Sequence, residues 1–465
     1  MTGRIKYLTA FLALFLTVFN LPAIAHYPQA KLSPSDANAG DGFGVSVAID
    51  GNTAVVGSYQ NDSNGIDCGA AYVYQHSGSN WTQSQKLTAS DANTGDQFGR
   101  SVAIEGNTIV VGSYIGDSTE PNSGSAYVFT RSGSVWSQWQ KLTALDANTE
   151  DKFGCSVSID NNTIVIGAYG DSSDTGSAYV FTRTGSTWNF QQKLTASDAI
   201  QGDLFGYSIA IDDNAILIGA HNNDNSDYQD VGSAYIFQRQ DATWIEQNIL
   251  RASDAKPADH FGYSVALDGN YACIGAYECD INKANDAGAA YVFKRTGDNW
   301  VEQQKLFDAN DPCSGEDFGW SVAIENDTIL TGCVNDSLGG KKTGSVFQFA
   351  LVGPSWVQSD HIFPADANDD DKFGSSLALS GRNIIVGAPY NNSSGSAYVR
   401  EDVLITDFDG DSDIDFADFA VFAPAWLTAE GTPGFNPICD ISNPPDLLIN
   451  LLDLETLCDD WLLGK

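Results

Sequence analysis

The chain has 465 residues, 60 acidic against 23 basic, for a formal net charge of −37; such a surface repels nucleic acid and anionic lipid and argues against both as partners. With 42% hydrophobic residues and 45 glycines, the composition fits a turn-rich all-β protein, and the length leaves room for one large and one small domain. Residues 1–25 come first in the chain. Arg4 and Lys6 precede an apolar run from Leu8 to Leu21, followed by Ala23-Ile24-Ala25, the pattern of a secretory signal peptide cut after Ala25. The run is short for a membrane span, and no second run of spanning length follows. The mature chain is therefore expected to be exported, soluble and without a transmembrane segment, either secreted or held at the cell surface.

From residue 43 the chain restates one unit seven times. A Phe-Gly pair opens it at Phe43, Phe98, Phe153, Phe205, Phe261, Phe318 and Phe373, and a serine always stands three residues after the Phe: Ser46, Ser101, Ser156, Ser208, Ser264, Ser321 and Ser376. The period is 52 to 57 residues. Each copy predicts three strands, as in Phe98 to Ile104, Thr108 to Tyr114 and Ser125 to Arg131, and a fourth from Trp136 to Leu142. Four strands per repeat at this period predict a seven-bladed β-propeller over 26–400. The last repeat lacks its fourth strand, while Gln29 to Leu32 echoes Gln85-Lys86-Leu87. The N-terminal strand is thus expected to complete the seventh blade and close the ring. Alternation in Phe98 to Ile104 puts Phe98, Val102 and Ile104 on one face and Gly99, Ser101 and Ala103 on the other. Stacked blades need that pairing of knob and hollow, so Phe, Gly and Ser are read as structural.

These repeats resemble the FG-GAP repeats of integrin alpha-like propellers: Phe153-Gly154 supplies the FG, and Gly167-Ala168, Gly219-Ala220, Gly275-Ala276 and Gly387-Ala388-Pro389 the GAP position. The resemblance implies the seven-bladed fold. Many members of that family carry a calcium loop between the first two strands. Here the connection is only Asp50-Gly51-Asn52, Glu105-Gly106-Asn107 or Asp160-Asn161-Asn162, tight turns with too few oxygens to enclose an ion, so no calcium is expected on the propeller.

The longer connections must all lie on the opposite face of the disc. One set repeats with paired carboxylates (Asp36/Asp41, Asp91/Asp96, Asp146/Asp151, Asp198/Asp203, Asp254/Asp259, Asp308/Glu316, Asp366/Asp371), which are expected to cap turns and accept backbone N–H bonds rather than bind ligand. The other set (116–124, 170–176, 221–232, 278–288, 335–344) varies, and variable loops on a fixed scaffold are where recognition is placed. A protein or glycan ligand is expected on this face. Five histidines at 26, 76, 221, 260 and 361 lack metal-ligand spacing, and no Gly-x-Ser-x-Gly elbow appears, so no catalytic residue is assigned.

Residues 401–465 change character, with fifteen acidic residues and one lysine. Asp407, Asp409, Asp411, Asp413 (through its carbonyl), Asp415 and Asp418 stand at calcium-loop positions 1, 3, 5, 7, 9 and 12, with Ile414 at the apolar position 8 and a helix predicted from Asp418 to about Trp426. Ser412 replaces the usual glycine of the turn. The segment resembles a type I dockerin, a small α-helical calcium-binding domain; the resemblance implies Ca2+ as cofactor and a cohesin-like or other scaffold protein as partner. A second loop would use Asp440, Ser442, Asp446, Asn450 and Asp453, departing from the pattern by two extra residues and by Pro444-Pro445. A Cys439–Cys458 disulfide would hold that loop to its helix. Eight cysteines in an exported chain favour disulfides; Cys273, Cys279, Cys313 and Cys333 allow three pairings, and Cys68 and Cys155 have no evident partner.

The expectation is an exported recognition or adhesion module tethered through its tail. The alternatives are a polysaccharide-degrading enzyme delivered by the same tail, or a propeller acting as a structural spacer.

Overall fold

The computed structural model describes residues 29–78, 80–118, 120–224, 228–309, 314–338, 340–364 and 366–401. Seven four-stranded antiparallel sheets form a β-propeller, within the compact unit Pro28–Val403. Blade 2 shows the pattern: Phe98–Glu105 innermost, then Thr108–Ser113, Ser125–Ser132 and Val135–Leu142 outermost. The first strands of blades 1, 2 and 6 begin at Phe43, Phe98 and Phe318 and those of blades 3, 4 and 5 at Val157, Ser208 and Ser264, and all six blades take their four strands from consecutive sequence. Blade 7 does not. Its strands Ser376–Ser380, Asn383–Ala388 and Ser396–Glu401 are completed by Gln29–Leu32, which pairs antiparallel with the last of them, Gln29 opposite Arg400 and Leu32 opposite Ala397. The register puts Lys31 opposite Tyr398 as Lys86 lies opposite Tyr72, so the echo of the QKL motif holds for Lys31-Leu32. Gln29 falls one place early, because Ala30 stands between it and Lys31 and takes the place of Gln85 in the ladder.

Blades pack knob against hollow. Phe153, Tyr179, Phe181 and Trp188 of blade 3 bury against Val110, Ala126, Val128 and Leu142 of blade 2. Six of the seven FG phenylalanines meet two aromatic rings of their own third strand, mostly edge-on, as Phe98 meets Tyr127 at 5.5 Å and Phe129 at 6.0 Å, the arrangement ring quadrupoles favour; Phe373 meets Tyr398 alone. Phe98, Val102 and Ile104 share one cluster, as alternation predicts. The strand is nevertheless irregular: Phe98 pairs with Ser113 but Ser101 with Gly112, so Gly99 and Arg100 form a bulge.

The FG-x-S motif is a joint between blades. Ser101 donates its hydroxyl hydrogen bond to the Gly154 carbonyl at 2.8 Å, and the same bond recurs around the disc until Ser376 donates to Gly44 and closes the circle. Gly112 shows why glycine is needed there. A Cβ on it would meet the Gly154 carbonyl oxygen at 2.0 Å, so the two backbones approach as only glycine permits. Gly154 also has φ +92, a left-handed value that L-residues with side chains avoid.

At the outer strands a second joint repeats. The Gln85 side chain donates to the Trp136 carbonyl and accepts from its N–H, at 2.6 and 2.8 Å; Gln140, Gln192 and Gln304 do the same to Trp188, Trp244 and Trp356. Between blades 6 and 7 that bond is replaced by a buried ion pair, Asp360 to Arg400 at 2.7 Å.

Cys68, Cys155, Cys273, Cys279 and Cys333 are free thiols, which corrects the expected pairing among Cys273, Cys279 and Cys333. Cys273 lies within the strand Tyr271–Ala276 and Cys333 at the end of Thr328–Cys333, packed as apolar residues in the core between blades 5 and 6. Cys279 occupies a loop position where it touches Tyr291 and Lys305. Cys313, Cys439 and Cys458 lie outside the described residues. No helix among the described residues is long and apolar enough to cross a membrane.

Candidate functional site

The repeated carboxylates of the long connections hold the loops to the blades. The second of each pair accepts a backbone N–H three residues earlier, Asp41 from Asn38, Asp96 from Asn93, Asp151 from Asn148, Asp203 from Ile200, Asp259 from Lys256 and Asp371 from Asn368, as expected of turn caps. The first of each pair accepts side-chain donors instead. Asp36 takes the Tyr72 hydroxyl at 2.8 Å and the Lys86 ammonium at 2.6 Å, and the latch recurs in all blades but the sixth, with Arg251 in the lysine's role in blade 4 and Lys31 in blade 7. Burial works against ionisation there, but Lys86 and Tyr72 outweigh it and hold Asp36 below the usual carboxylate range. In blade 6, Phe347 and His361 stand where tyrosine and lysine would; His361 Nε2 lies 2.8 Å from Asp336 instead.

The axis is different. The residue between Gly and Ser of each repeat faces it, and all seven such residues line one cavity: Val45, Arg100, Cys155, Tyr207, Tyr263, Trp320 and Ser375. Tyr59, Tyr114, Pro389 and Tyr390, at the ends of second strands, join them around about 510 Å3. First strands begin and second strands end at the long-connection face, so the channel has its mouth there. Bulges commonly re-aim a side chain at a site; here a bulge does so in blades 1, 2 and 6, and in the other four the residue stands just ahead of the first strand or its ladder.

The lining is lopsided. Blades 3 to 6 supply an aromatic arc, with ring centroids 5.5 Å apart for Tyr169–Tyr207, 5.2 Å for Tyr207–Tyr263 and 4.9 Å for Tyr263–Trp320. His221 backs it, 4.4 Å from Tyr207 and 5.3 Å from Tyr263; burial lowers its pKa to about 3, so the imidazole is neutral. Burial also keeps the Tyr263 hydroxyl protonated. Blade 2 supplies a cation. Arg100 lies deep in the molecule with part of its surface open to the channel, its guanidinium 5.8 Å from the Tyr114 ring centroid.

A polar depression of about 530 Å3 also lies on the short-turn face between blades 3 and 4, lined by Asp160, Asn161, Arg183, Asp213 and Arg239 among others. Its arginines are already engaged with Trp188 and Trp244 and with turn carbonyls, and it lacks an aromatic platform. The channel is the better-built site.

The FG-GAP repeat family model matches residues 28–74, 81–129, 136–181, 188–237, 244–293, 300–349 and 356–400. The chain belongs to the FG-GAP repeat family. Each FG-GAP repeat is out of phase with the blades by one strand, starting on the outer strand of one blade and ending on the third strand of the next, which is why Gln29–Leu32 belongs to blade 7. No curated protein matches the chain. Among solved structures, the Saccharomyces cerevisiae Sqt1 crystal structure is similar at TM-score 0.45 and 11% identity, over 80% of this chain and 98% of that one.

The calcium ligands expected from the sequence, Asp407 to Asp418 and Asp440 to Asp453, lie outside the described residues. Among the described residues no group of three or more His, Cys, Asp or Glu is poised to hold a metal. The variable connections expected to carry recognition lie on the same face as the channel mouth. The axial residues themselves were missed. Their signal was the one position inside the FG-x-S motif that changes from blade to blade.

Proposed function

We propose that this FG-GAP protein is an exported binding or adhesion protein. Its propeller recognises a protein or glycan ligand at the long-connection face, and its tail, 401–465, tethers it to an extracellular or surface assembly. The observation that carries the reading is the contrast between position and role. Phe, Gly and Ser of every repeat are fixed by the joints between blades, whereas the residue between Gly and Ser differs in every blade but two and builds a cation and an aromatic arc around one cavity. Pockets of about 300–1,000 Å3 with ring-lined walls and few polar groups suit small ligands or ligand tips. In the tail, Asp407, Asp409, Asp411, Asp413, Asp415 and Asp418 would hold Ca2+ with oxygen ligands, and a cohesin-like or other scaffold protein would be its partner. FG-GAP repeats are typical of extracellular proteins, in keeping with the leader-like 1–25.

The test offers the full chain to panels of oligosaccharides and secreted proteins, beside Tyr263→Ala and Trp320→Ala. Ligand capture that both substitutions abolish, with the circular dichroism spectrum unchanged, supports recognition at the channel; capture that neither alters refutes it. Retention of the full chain on surface fractions with calcium, and release by chelator, is expected from the tail. Retention indifferent to chelator refutes calcium-dependent tethering without touching the propeller.

A further inference from the structure

The channel brings together donors that lack acceptors. Arg100 makes no ion pair or hydrogen bond among the described residues, although the chain has 60 carboxylates to offer. Tyr59, Tyr114 and Tyr390 line the same cavity, and their hydroxyls have no hydrogen-bond partner among the described residues either. The described lining contains no Asp or Glu. A guanidinium removed from bulk water and left unpaired is costly, and it suits a bidentate carboxylate above other partners. Tyr207, Tyr263 and Trp320 share the same lining. Aromatic rings beside hydroxyls and a fork of N–H donors match a sugar ring, apolar across one face and hydroxylated at its rim, that carries an acid group. The volume accommodates roughly one or two such rings. The net charge of −37 sets a limit: a dense polyanion is repelled, so the acid group belongs to an isolated or terminal residue of an otherwise neutral saccharide.

We propose that the axial channel binds a uronic-acid-type sugar residue, its carboxylate paired with Arg100 and its ring against Tyr207, Tyr263 and Trp320. This rests on the reading of the channel as the recognition site. Cys155, half-buried in the same lining, gives a local reporter, since an occupied channel shields its thiol.

The experiment is calorimetric titration of the full chain with methyl β-glucuronoside and methyl α-galacturonoside. The neutral methyl glucoside and galactoside and N-acetyl-aspartate amide serve as comparisons. At least one uronoside is expected to bind about ten- to a hundredfold more tightly than its neutral counterpart. Arg100→Met is expected to erase that preference while keeping the circular dichroism spectrum, because the one fold contact among the described residues that depends on the guanidinium's charge is its approach to the Tyr114 ring. Alkylation of Cys155, followed by peptide mapping, is expected to slow when the uronoside is present. Equal binding of acidic and neutral sugars, preference retained in Arg100→Met, or preference for the aspartate amide overturns the acidic-sugar assignment and leaves the channel as a recognition site. No binding of any of these compounds, with Cys155 unprotected, overturns the assignment. If Tyr263→Ala and Trp320→Ala are then also without effect on ligand capture, the recognition reading falls with it.

Discussion

Cys279 alters the chemistry of a carboxylate that it does not touch. In blades 1, 4 and 7 an asparagine at the corresponding loop position, Asn61, Asn223 or Asn391, donates a side-chain N–H to the turn-capping aspartate, Asp41, Asp203 or Asp371. Blade 5 has Cys279 instead, and Asp259 keeps only its backbone donor Lys256. Burial then pushes the Asp259 carboxyl up to about 6, against the pull of that hydrogen bond and of Lys305. A carboxyl whose folded pKa exceeds its unfolded value favours the fold while protonated, so this group's contribution falls as pH rises from about 4 to about 6. Asn61 already bonds Tyr72 and Lys86 where Cys279 touches Tyr291 and Lys305, so asparagine fits the site. Cys279→Asn is predicted to flatten that part of the pH profile, gaining stability over the parent at pH about 7 relative to pH about 4. Urea midpoints at both pH values decide it; an equal difference at the two refutes the account.

At the scale of the strand, the outer joint shows what one methylene does. Asn248 holds the place of Gln85, Gln140, Gln192 and Gln304, and its Oδ1 is buried without a partner. The shorter side chain makes no such bond to Trp300 of the next blade, whereas each longer amide reaches the corresponding Trp backbone of the blade that follows it. Asn248→Gln is predicted to form the missing pair of hydrogen bonds and to raise stability by about 1 kcal/mol, read as a higher unfolding midpoint; an unchanged or lower midpoint counts against the joint. The strands themselves were legible in the sequence, since Phe98–Glu105, Thr108–Ser113, Ser125–Ser132 and Val135–Leu142 fall within one or two residues of the spans that alternation and turn residues define. The bulge at Gly99-Arg100 was not legible. Period-two reading counts residues, and an extra pair leaves the flanking Phe98 and Val102 on the same side, so the pattern survives while Arg100 swings to the axis. The thiols misled for a related reason. Cysteine count and an exported chain favour disulfides, but Cys273 and Cys333 sit at positions that blade packing fills with any small apolar side chain.

For the whole molecule, closure rests on four residues. Gln29–Leu32 buries Leu32 in the core between blades 7 and 1 and ties Lys31 to Asp366 at 2.5 Å and Asn391 at 2.6 Å. Removing them exposes the edge of Ser396–Glu401, a template for pairing with another chain. The chain lacking residues 29–32 is predicted to lose several kcal/mol, about 2 of them from Leu32 alone, and to self-associate in size-exclusion chromatography. A synthetic peptide of residues 26–33 is predicted to restore both the midpoint and the monomer, and its failure to do so refutes closure by this strand. Sequence repetition revealed this seam because a missing fourth strand at one end matched a spare one at the other. It could not reveal the channel's occupant, since the axial residues are the ones that repetition leaves free.

The seam also decides how the disc bears load. The chain leaves the propeller from the end of Ser396–Glu401, and that strand is not the outermost of its blade: Asn383–Ala388 flanks it on one side and Gln29–Leu32 on the other. Tension applied through the C-terminal segment therefore meets two ladders of hydrogen bonds in shear, with the Arg400–Asp360 pair anchoring the strand to the neighbouring blade. Closure by a C-terminal outer strand would have let the same pull peel a single ladder bond by bond. By borrowing its last strand from the N-terminus, the propeller presents a strand clamped on both sides to whatever tugs on its tail.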